Sequence, residues 1–282
     1  MTRHLLESVA VGILFLLTFT GILILVAVLG TVIVKGAPTV SGDFLWEASR
    51  DFGSGGGIFY QVMGTWLLMT GAVVVSLPLA LGTALLLSEY LKSRRLKKMF
   101  RNLIYSLNGV PTILFGLAGY VFFGEFLGTG VSWLTGSLIL AVMIFPTLQV
   151  SIQEAIEALP EKYRETGLAM GLTPAAMIWS IVLPQSIFGM VTGILLGLAR
   201  AAGETAAIMF TATAFSGILL PGTWTDPVPT LQTHILVLVQ EAVNPRALSN
   251  AWGAALVLLC LVFLLIGAAL LVRGRLRMEF ER

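Results

Sequence analysis

Residues 165–184 read ETGLAMGLTPAAMIWSIVLP, a partly polar stretch within an otherwise apolar chain. Its first part is rich in helix-forming residues and leads to Gly171, which can end a helix in a left-handed conformation. Thr173 can then cap the start of a second helix. The stretch therefore predicts a helix-turn-helix along the cytoplasmic surface, with a second short helix over 175–183 that stops at Pro184.

The composition is that of an integral membrane protein. Of the 282 residues, 57% are hydrophobic and only 11% are charged. The mean hydropathy of +0.93 is far too high for an ordinary soluble domain of this length. The formal net charge of +2 is too small to indicate a nucleic-acid partner. We therefore expect membrane lipid around most of the chain.

Six segments are long and apolar enough to cross a bilayer, whose hydrocarbon core of about 30 Å needs about 20 helical residues. They lie near 9–34, 62–88, 103–124, 132–153, 187–218 and 251–272. The predicted fold class is thus an all-α membrane protein with six transmembrane helices and a cytoplasmic helix-turn-helix. We divide the chain into an N-terminal helix with its external loop (1–61), a core that includes the loop 154–186 (62–273), and a basic tail (274–282).

The distribution of Lys and Arg predicts the orientation, because basic residues near the ends of membrane segments are retained on the cytoplasmic side. With the N-terminus inside, thirteen of the 17 basic residues fall in cytoplasmic pieces. Only Lys35, Arg50 and Arg246 fall outside, and Arg200 lies within the fifth segment. We therefore predict a multi-pass protein of the plasma (inner) membrane with both termini in the cytoplasm.

The spacing within residues 165–184 resembles a loop shared by the permease subunits of bacterial ABC importers. The matching residues are Glu165, Gly171, Ile181, Leu183 and Pro184, and Thr166 and Gly167 stand where that family usually has alanines. The resemblance implies that the short helix before the glycine sits in a groove of a separate ATPase subunit and transmits its closure to the membrane helices.

The coupling residues would then be Arg164, Glu165, Thr166, Gly167, Gly171, Ile181, Leu183 and Pro184. ATP and Mg²⁺ would bind to the partner ATPase, and this chain would hold no cofactor or metal of its own. Without such a partner, the same stretch would be a helical hairpin that only seals the bundle.

A pair of charges inside the fifth segment marks a second candidate site. The sequence LARAAGETA, residues 198–206, puts Arg200 and Glu204 one turn apart on the same helix face. Charges at this depth are costly, and they are tolerated when they pair, face the bundle interior or line a wet path. Because Arg has a planar fork of donors suited to phosphate oxygens, we interpret the pair as part of an anion path. The alternative is an ion pair that only fixes helix packing.

Several motifs around Arg200 resemble the permeases of the high-affinity phosphate importer, most closely the A-type permease of its A and C pair. The matching stretches are Arg200-x-x-Gly203-Glu204-Thr205-Ala206 with Phe210-Thr211-Ala212, Gly109-Val110-Pro111-Thr112, Phe115-Gly116-Leu117, and Gly57-Ile58 before Gly64-Thr65. The likeness extends over about residues 55–215. It implies a heterodimer with a related C-type permease, two ATPase subunits and an external phosphate-binding protein.

The substrate-path residues predicted on this basis are Arg200, Glu204, Thr205, Asn108 and Thr112. Asn108 and Thr112 could equally satisfy local hydrogen bonds, and for Glu89 we expect only that simpler role. One feature departs from the family, in which an arginine is common shortly after the Phe-Pro of the fourth segment, where this chain has residues 147–151. Another oxyanion therefore stays open as the substrate. Glu204 could accept a hydrogen bond from a protonated oxyanion, which would favour hydrogen phosphate over sulfate.

Two other classes of protein can be compared with this hypothesis. A secondary anion transporter or channel is expected to show inverted repeats or interrupted helices, neither of which is evident in the sequence. An enzyme would need a nucleophile, a metal site or paired carboxylates. His4 and His234 are predicted on opposite sides of the membrane, and neither His-Glu-x-x-His nor Gly-x-Ser-x-Gly occurs. We therefore predict a non-catalytic transport subunit.

The outer loop over 219–250 contains one further element. Apolar and polar residues alternate in a roughly helical rhythm over Leu231–Val243, which predicts a short helix. It could lie at the membrane interface or pack on the bundle as a connector.

Overall fold

A computed structural model describes residues 2–213, 220–241 and 244–280 of the chain. The α-helices are α1 (Thr2–Gly36), α2 (Gly42–Trp46), α3 (Phe59–Leu85), α4 (Arg94–Leu107), α5 (Thr112–Gly119), α6 (Trp133–Glu157), α7 (Glu161–Ala169), α8 (Pro174–Met177), α9 (Leu183–Ala202), α10 (Ala206–Thr211), α11 (Leu231–Gln240) and α12 (Pro245–Phe280). Turns of π-helix cover Leu86–Tyr90 after α3, Tyr120–Phe126 after α5, and Ile178–Val182 between α8 and α9. A small antiparallel hairpin pairs β1 (Ser49–Arg50) with β2 (Gly55–Gly56).

Among the described residues, five stretches are long and apolar enough to cross a membrane as single helices. They are Ala10–Gly36, Phe59–Tyr90, Trp133–Glu157, Pro174–Ala202 and Pro245–Gly274. A sixth crossing results if α4 and α5, which meet at a bend of 91°, are counted as one span. The prediction of an all-α membrane fold is thus confirmed, with six crossings when the bent pair is one of them.

The third predicted segment, 103–124, is wrong as a continuous helix. Helix α4 ends at Leu107 and α5 begins at Thr112. Pro111 has no N–H group to continue the hydrogen-bonding ladder, and Gly109 lowers helix stability just before it. The fold therefore contains an interrupted helix that was not evident from the sequence.

The fifth predicted segment, 187–218, is also interrupted. Helix α9 ends at Ala202, where Gly203 follows as the C-cap, and the short helix α10 is a separate element. The last residues of the predicted segment, 214–218, lie outside the described residues. The apolar run of the fifth segment is thus divided between two helices, α9 and α10.

The core of the bundle is centred on α6, which packs against α3 and α9. Leu140, Ile144 and Leu148 of α6 are fully buried. In lipid, helices associate through close packing rather than through exclusion of water, so small residues at their contacts matter. A Cβ at Gly189 of α9 would overlap the Cβ of Ala155, which shows how closely α9 approaches α6.

The predicted outer helix is confirmed as α11, Leu231–Gln240. Leu231, Gln232, Thr233 and Leu238 are buried, and the helix packs against α12 and α3. This packing agrees with a connector fixed to the bundle rather than a helix lying free at the interface. Residues 242–243, the end of the predicted range, lie outside the described residues.

Candidate functional site

Arg200 lies in the last turn of α9, with its guanidinium directed at two other helices. Its Nη1 donates to Oδ1 of Asn108 at 3.2 Å and to Oγ1 of Thr147 at 3.4 Å. The side chain is half-buried, and among the described residues no carboxylate lies within 4.0 Å of it. Within that same part of the chain, its Nη2 and Nε make no hydrogen bond. Arg200 is therefore a positively charged side chain that is held in place by two neighbours and still has N–H donors for a ligand.

Two interrupted helices meet beside this arginine. Asn108 ends α4 and Thr112 begins α5, while Glu204 and Thr205 lie between α9 and α10. Helices α5 and α10 pack against each other so closely that a Cβ at Gly116 would lie 2.8 Å from the Cα of Ala207. Breaks of this kind expose backbone groups that bind ions inside transport proteins. The five predicted path residues are thus divided between two adjoining helix breaks.

The prediction that Arg200 and Glu204 share one helix face is wrong. Helix α9 ends at Ala202, and the Glu204 N–H donates to the Ala201 carbonyl at 3.2 Å in the turn that follows. The Arg200 and Glu204 side chains form no ion pair within 4.0 Å. Gly203 ends the helix earlier than the apolar pattern indicated.

Two residues of the site were missed by sequence reasoning. Thr147 of α6 accepts from Arg200, and it occupies the start of the stretch that departs from the phosphate-permease pattern. Gln232 of α11 donates from Nε2 to the Ala202 carbonyl at 2.6 Å, and Thr65 of α3 donates to its Oε1 at 3.4 Å. Gln232 thereby fixes the end of α9 next to Arg200. A lone Gln in an apolar helix was its only signal, since buried amides need partners.

The predicted helix-turn-helix is present. Gly171 adopts a φ of +79° after α7, and Thr173 accepts a hydrogen bond from the Ala176 N–H at 3.2 Å at the start of α8. Gly167 is buried, and a Cβ there would lie 2.9 Å from Cδ1 of Ile181. The motif therefore places a small residue where α7 touches the next helical turn.

The second helix does not stop at Pro184, contrary to the prediction. Helix α8, the π-helical turn and α9 form one stretch, Pro174–Ala202. Pro184 has no N–H group to donate, and the turn before it widens, so that the Leu183 N–H donates to the Ile178 carbonyl, one residue further back than in an α-helix. The helix-turn-helix is therefore continuous with the helix that carries Arg200.

Arg164 of α7 fastens the helix-turn-helix to the membrane bundle. Its Nη2 donates to Oε1 of Glu89, after α3, at 2.8 Å, and its Nε donates to the same oxygen at 3.2 Å. It also donates to the carbonyls of Ile156 and Leu159, at the end of α6, at 2.9 and 3.0 Å. Glu89 thus makes a long-range ion pair rather than the local contacts expected for it.

This ion pair is well shielded from water. Only 15% of the Arg164 side chain and 8% of the Glu89 side chain are exposed. Hydrogen bonding to Glu89 raises the pKa of Arg164 above its ordinary value, so the guanidinium stays charged. Charged hydrogen bonds of this kind are directional and connect α7 rigidly to α3 and α6.

An apolar patch is exposed on the helix-turn-helix. Leu168 is 54% exposed and Met170 is 76% exposed, beside the exposed Glu165 and Thr166. By contrast, Met177 is buried within the chain. We refer to residues 165–170 as the coupling surface, after the role that the sequence resemblance implies for them. Exposed apolar residues rimmed by polar ones typically mark a protein interface.

A Gly171→Val variant is expected to be less stable than the unaltered chain. A β-branched residue is strained at a φ of +79°, at a cost of about 1–3 kcal/mol, so the turn would change conformation and move α7. Gly171→Asn is the matched control, because Asn tolerates the left-handed region. The midpoint of thermal unfolding in detergent measures the loss of stability, and equal midpoints for the two variants would contradict the prediction.

Comparison with known proteins identifies one family and several relatives that match most of the chain. Residues 76–277 match the family described as "Binding-protein-dependent transport system inner membrane component". The chain is 33% identical over 266 residues to the "Probable phosphate transport system permease protein PstA" of Methanocaldococcus jannaschii, covering 94% of this chain and 92% of that relative. It is 27% identical over 276 residues to the "Probable ABC transporter permease protein YqgI" of Bacillus subtilis, covering 93% and 94%.

A solved structure shares the fold. A chain of the MetNI methionine ABC transporter in inward-facing conformations superposes with a TM-score of 0.57, covering 77% of this chain and 94% of that chain. At 18% sequence identity, the likeness concerns the fold alone.

Proposed function

Because the chain belongs to the family of binding-protein-dependent transport system inner membrane components, we propose that it carries inorganic phosphate, or a related oxyanion, through an ATP-driven importer. The family consists of ABC importer permeases, which are non-catalytic, multi-pass proteins of the inner membrane. Membership in it speaks against a secondary transporter, although the chain has the interrupted helices that such proteins show. The name of the relative from M. jannaschii supports phosphate as the cargo.

The observation that carries the proposal is the placement of Arg200. It is a half-buried cation at the junction of two helix breaks, held by Asn108 and Thr147. A guanidinium with remaining donors can bind two oxygens of one tetrahedral anion, and in a low-dielectric path the attraction is much stronger than in water. Arg200 therefore supplies both affinity for the anion and its orientation.

Glu204 would contribute to the choice of anion. A carboxylate repels a bare dianion, yet it can accept a hydrogen bond from a protonated oxyanion. Hydrogen phosphate carries such a proton at neutral pH, whereas sulfate does not. Glu204 and Thr205 would therefore select hydrogen phosphate over sulfate beside Arg200.

The partners follow from the way such a permease would work. An external phosphate-binding protein would deliver the anion to a path between this chain and a related C-type permease. Two ATPase subunits, which bind ATP and Mg²⁺, would receive the coupling surface on the cytoplasmic side, where both termini also lie. Closure of these subunits would move α7, and the continuous stretch Pro174–Ala202 would carry this movement to Arg200.

The proposal is tested with the complex that copurifies with this chain, reconstituted in liposomes. We expect ATP-driven uptake of labelled phosphate that unlabelled arsenate inhibits and sulfate does not. The control is the same preparation with a non-hydrolysable ATP analogue. Uptake of sulfate at the rate of phosphate would contradict the assignment of the cargo, and copurification of a lone homo-oligomer would contradict the class of transporter.

A further inference from the structure

Helix α4, Arg94–Leu107, has two faces of opposite character. At about 100° per residue, Leu96, Met99 and Leu103 fall on one side of the helix. Arg94, Lys98 and Arg101 fall on the other side. The helix is thus strongly amphipathic, with a basic polar face.

Both faces are uncovered by the rest of the chain. Leu96, Met99 and Leu103 are 43%, 49% and 56% exposed. Within the described part of the chain, none of the basic side chains over 92–101 lies within 4.0 Å of a carboxylate. Whatever covers α4 must therefore be apolar on one side and anionic on the other.

The direction of α4 supplies the third observation. Its axis is bent by 91° from the following apolar stretch Thr112–Phe126, which completes the bent span. When Thr112–Phe126 is the part of this pair that runs across the bilayer, α4, at nearly a right angle to it, lies parallel to the membrane plane. At the interface between the acyl chains and water, the medium is apolar on one side and carries phosphate headgroups on the other. This matches the two faces of α4.

We propose that α4 is a binding site for anionic phospholipids, with Leu96, Met99 and Leu103 among the acyl chains and Arg94, Lys98 and Arg101 on the headgroup phosphates. The site is independent of the transported anion and of Arg200. It would hold a shell of anionic lipid at the bend between α4 and α5. Each nearby basic residue strengthens attachment to an anionic surface by about fivefold.

The test uses the full-length chain in liposomes of phosphatidylcholine with added phosphatidylglycerol. A fluorophore is attached at Leu103→Cys or, as the matched control on the polar face, at Asn102→Cys, each in a Cys260→Ser background that removes the single native cysteine. Quenching is measured with lipids that carry a nitroxide on the acyl chain. These labelled lipids are either phosphatidylglycerol or phosphatidylcholine. A water-soluble quencher reports exposure to solvent.

We expect acyl-chain nitroxides to quench the label at position 103 at least about twofold more than the label at position 102, since only the first face enters the lipid. Labelled phosphatidylglycerol should quench more strongly than labelled phosphatidylcholine at low salt. This preference should disappear in 1 M salt, where the screening length falls to about 3 Å. Replacing Arg94, Lys98 and Arg101 with Gln should abolish the preference while position 103 stays in the lipid.

Three outcomes would overturn the proposal. One is equal quenching of the two positions, and another is equal quenching by the two headgroups at low salt in the chain with its basic residues intact. The third is protection of position 103 from both the lipid and the aqueous quencher, which would show that a protein, such as an ATPase subunit, covers this face. The comparison between headgroups needs no variant of the basic residues, so it does not depend on how such a variant folds.

Discussion

An Arg200→Ala variant is expected to take up phosphate at least about 100-fold more slowly than the unaltered complex. Two charged hydrogen bonds to the anion, at about 1.5 kcal/mol each, would be lost, and their sum corresponds to this factor. Initial rates of ATP-driven uptake in liposomes measure the effect, after normalisation to the amount of assembled complex. ATP hydrolysis without substrate should be retained, because Arg200 is not part of the coupling surface.

Two further variants make this experiment specific. Arg200→Lys keeps the charge but loses the planar fork, so an intermediate loss of roughly tenfold is expected. Arg246→Ala removes an exposed arginine from the start of α12 and should leave uptake unchanged. If Arg200→Ala assembled normally and transported at the rate of Arg246→Ala, Arg200 would have no role in the path.

Glu89→Ala is expected to destabilise the chain and to disconnect ATP hydrolysis from transport. It leaves the Arg164 guanidinium without its buried acid partner, and breaking a buried ion pair in this way typically costs about 3–5 kcal/mol. The helix-turn-helix would then be held to α3 only by neighbouring contacts. The midpoint of thermal unfolding in detergent measures the first effect, and the ratio of phosphate moved to ATP hydrolysed measures the second.

Arg164 offers its own control for this prediction. It also contacts Glu161 at 3.4 Å, but the Glu161 side chain is 75% exposed. Exposed pairs contribute about 0–1 kcal/mol, so Glu161→Ala should change neither quantity appreciably. A double-mutant cycle with Glu89→Ala and Arg164→Ala should give a coupling energy of at least about 1 kcal/mol. Equal effects of Glu89→Ala and Glu161→Ala would remove the special role of the buried pair.

The parts of the fold that depend on local signals could be predicted from the sequence. Apolar length identifies membrane-crossing segments, and Gly171 with Thr173 marks the turn and cap of the helix-turn-helix. The helix ends inside apolar segments could not be predicted in this way. Gly109, Pro111 and Gly203 do not lower hydropathy enough to divide a segment, although each weakens a helix.

The contacts of the site depend on tertiary structure and had no local signal. Arg164 and Glu89 are 75 positions apart, and Arg200 and Asn108 are 92 positions apart. The resemblance to phosphate permeases indicated Arg200 as a candidate but gave no reason to choose Thr147 or Gln232. The assumed i, i+4 relation of Arg200 and Glu204 failed because it required a helix through Gly203.

The bend between α4 and α5 has a consequence for the bilayer itself. The apolar stretch after the bend has the eight residues of α5 and the seven of the following π-helical turn. At 1.5 Å per residue this stretch is roughly 22 Å long, whereas the hydrocarbon layer is about 30 Å thick. Where this stretch spans the hydrocarbon layer alone, the lipid thins against this side of the protein or water enters from the inner surface. A charged solute that passes here faces a narrower dielectric barrier than the surrounding membrane would impose.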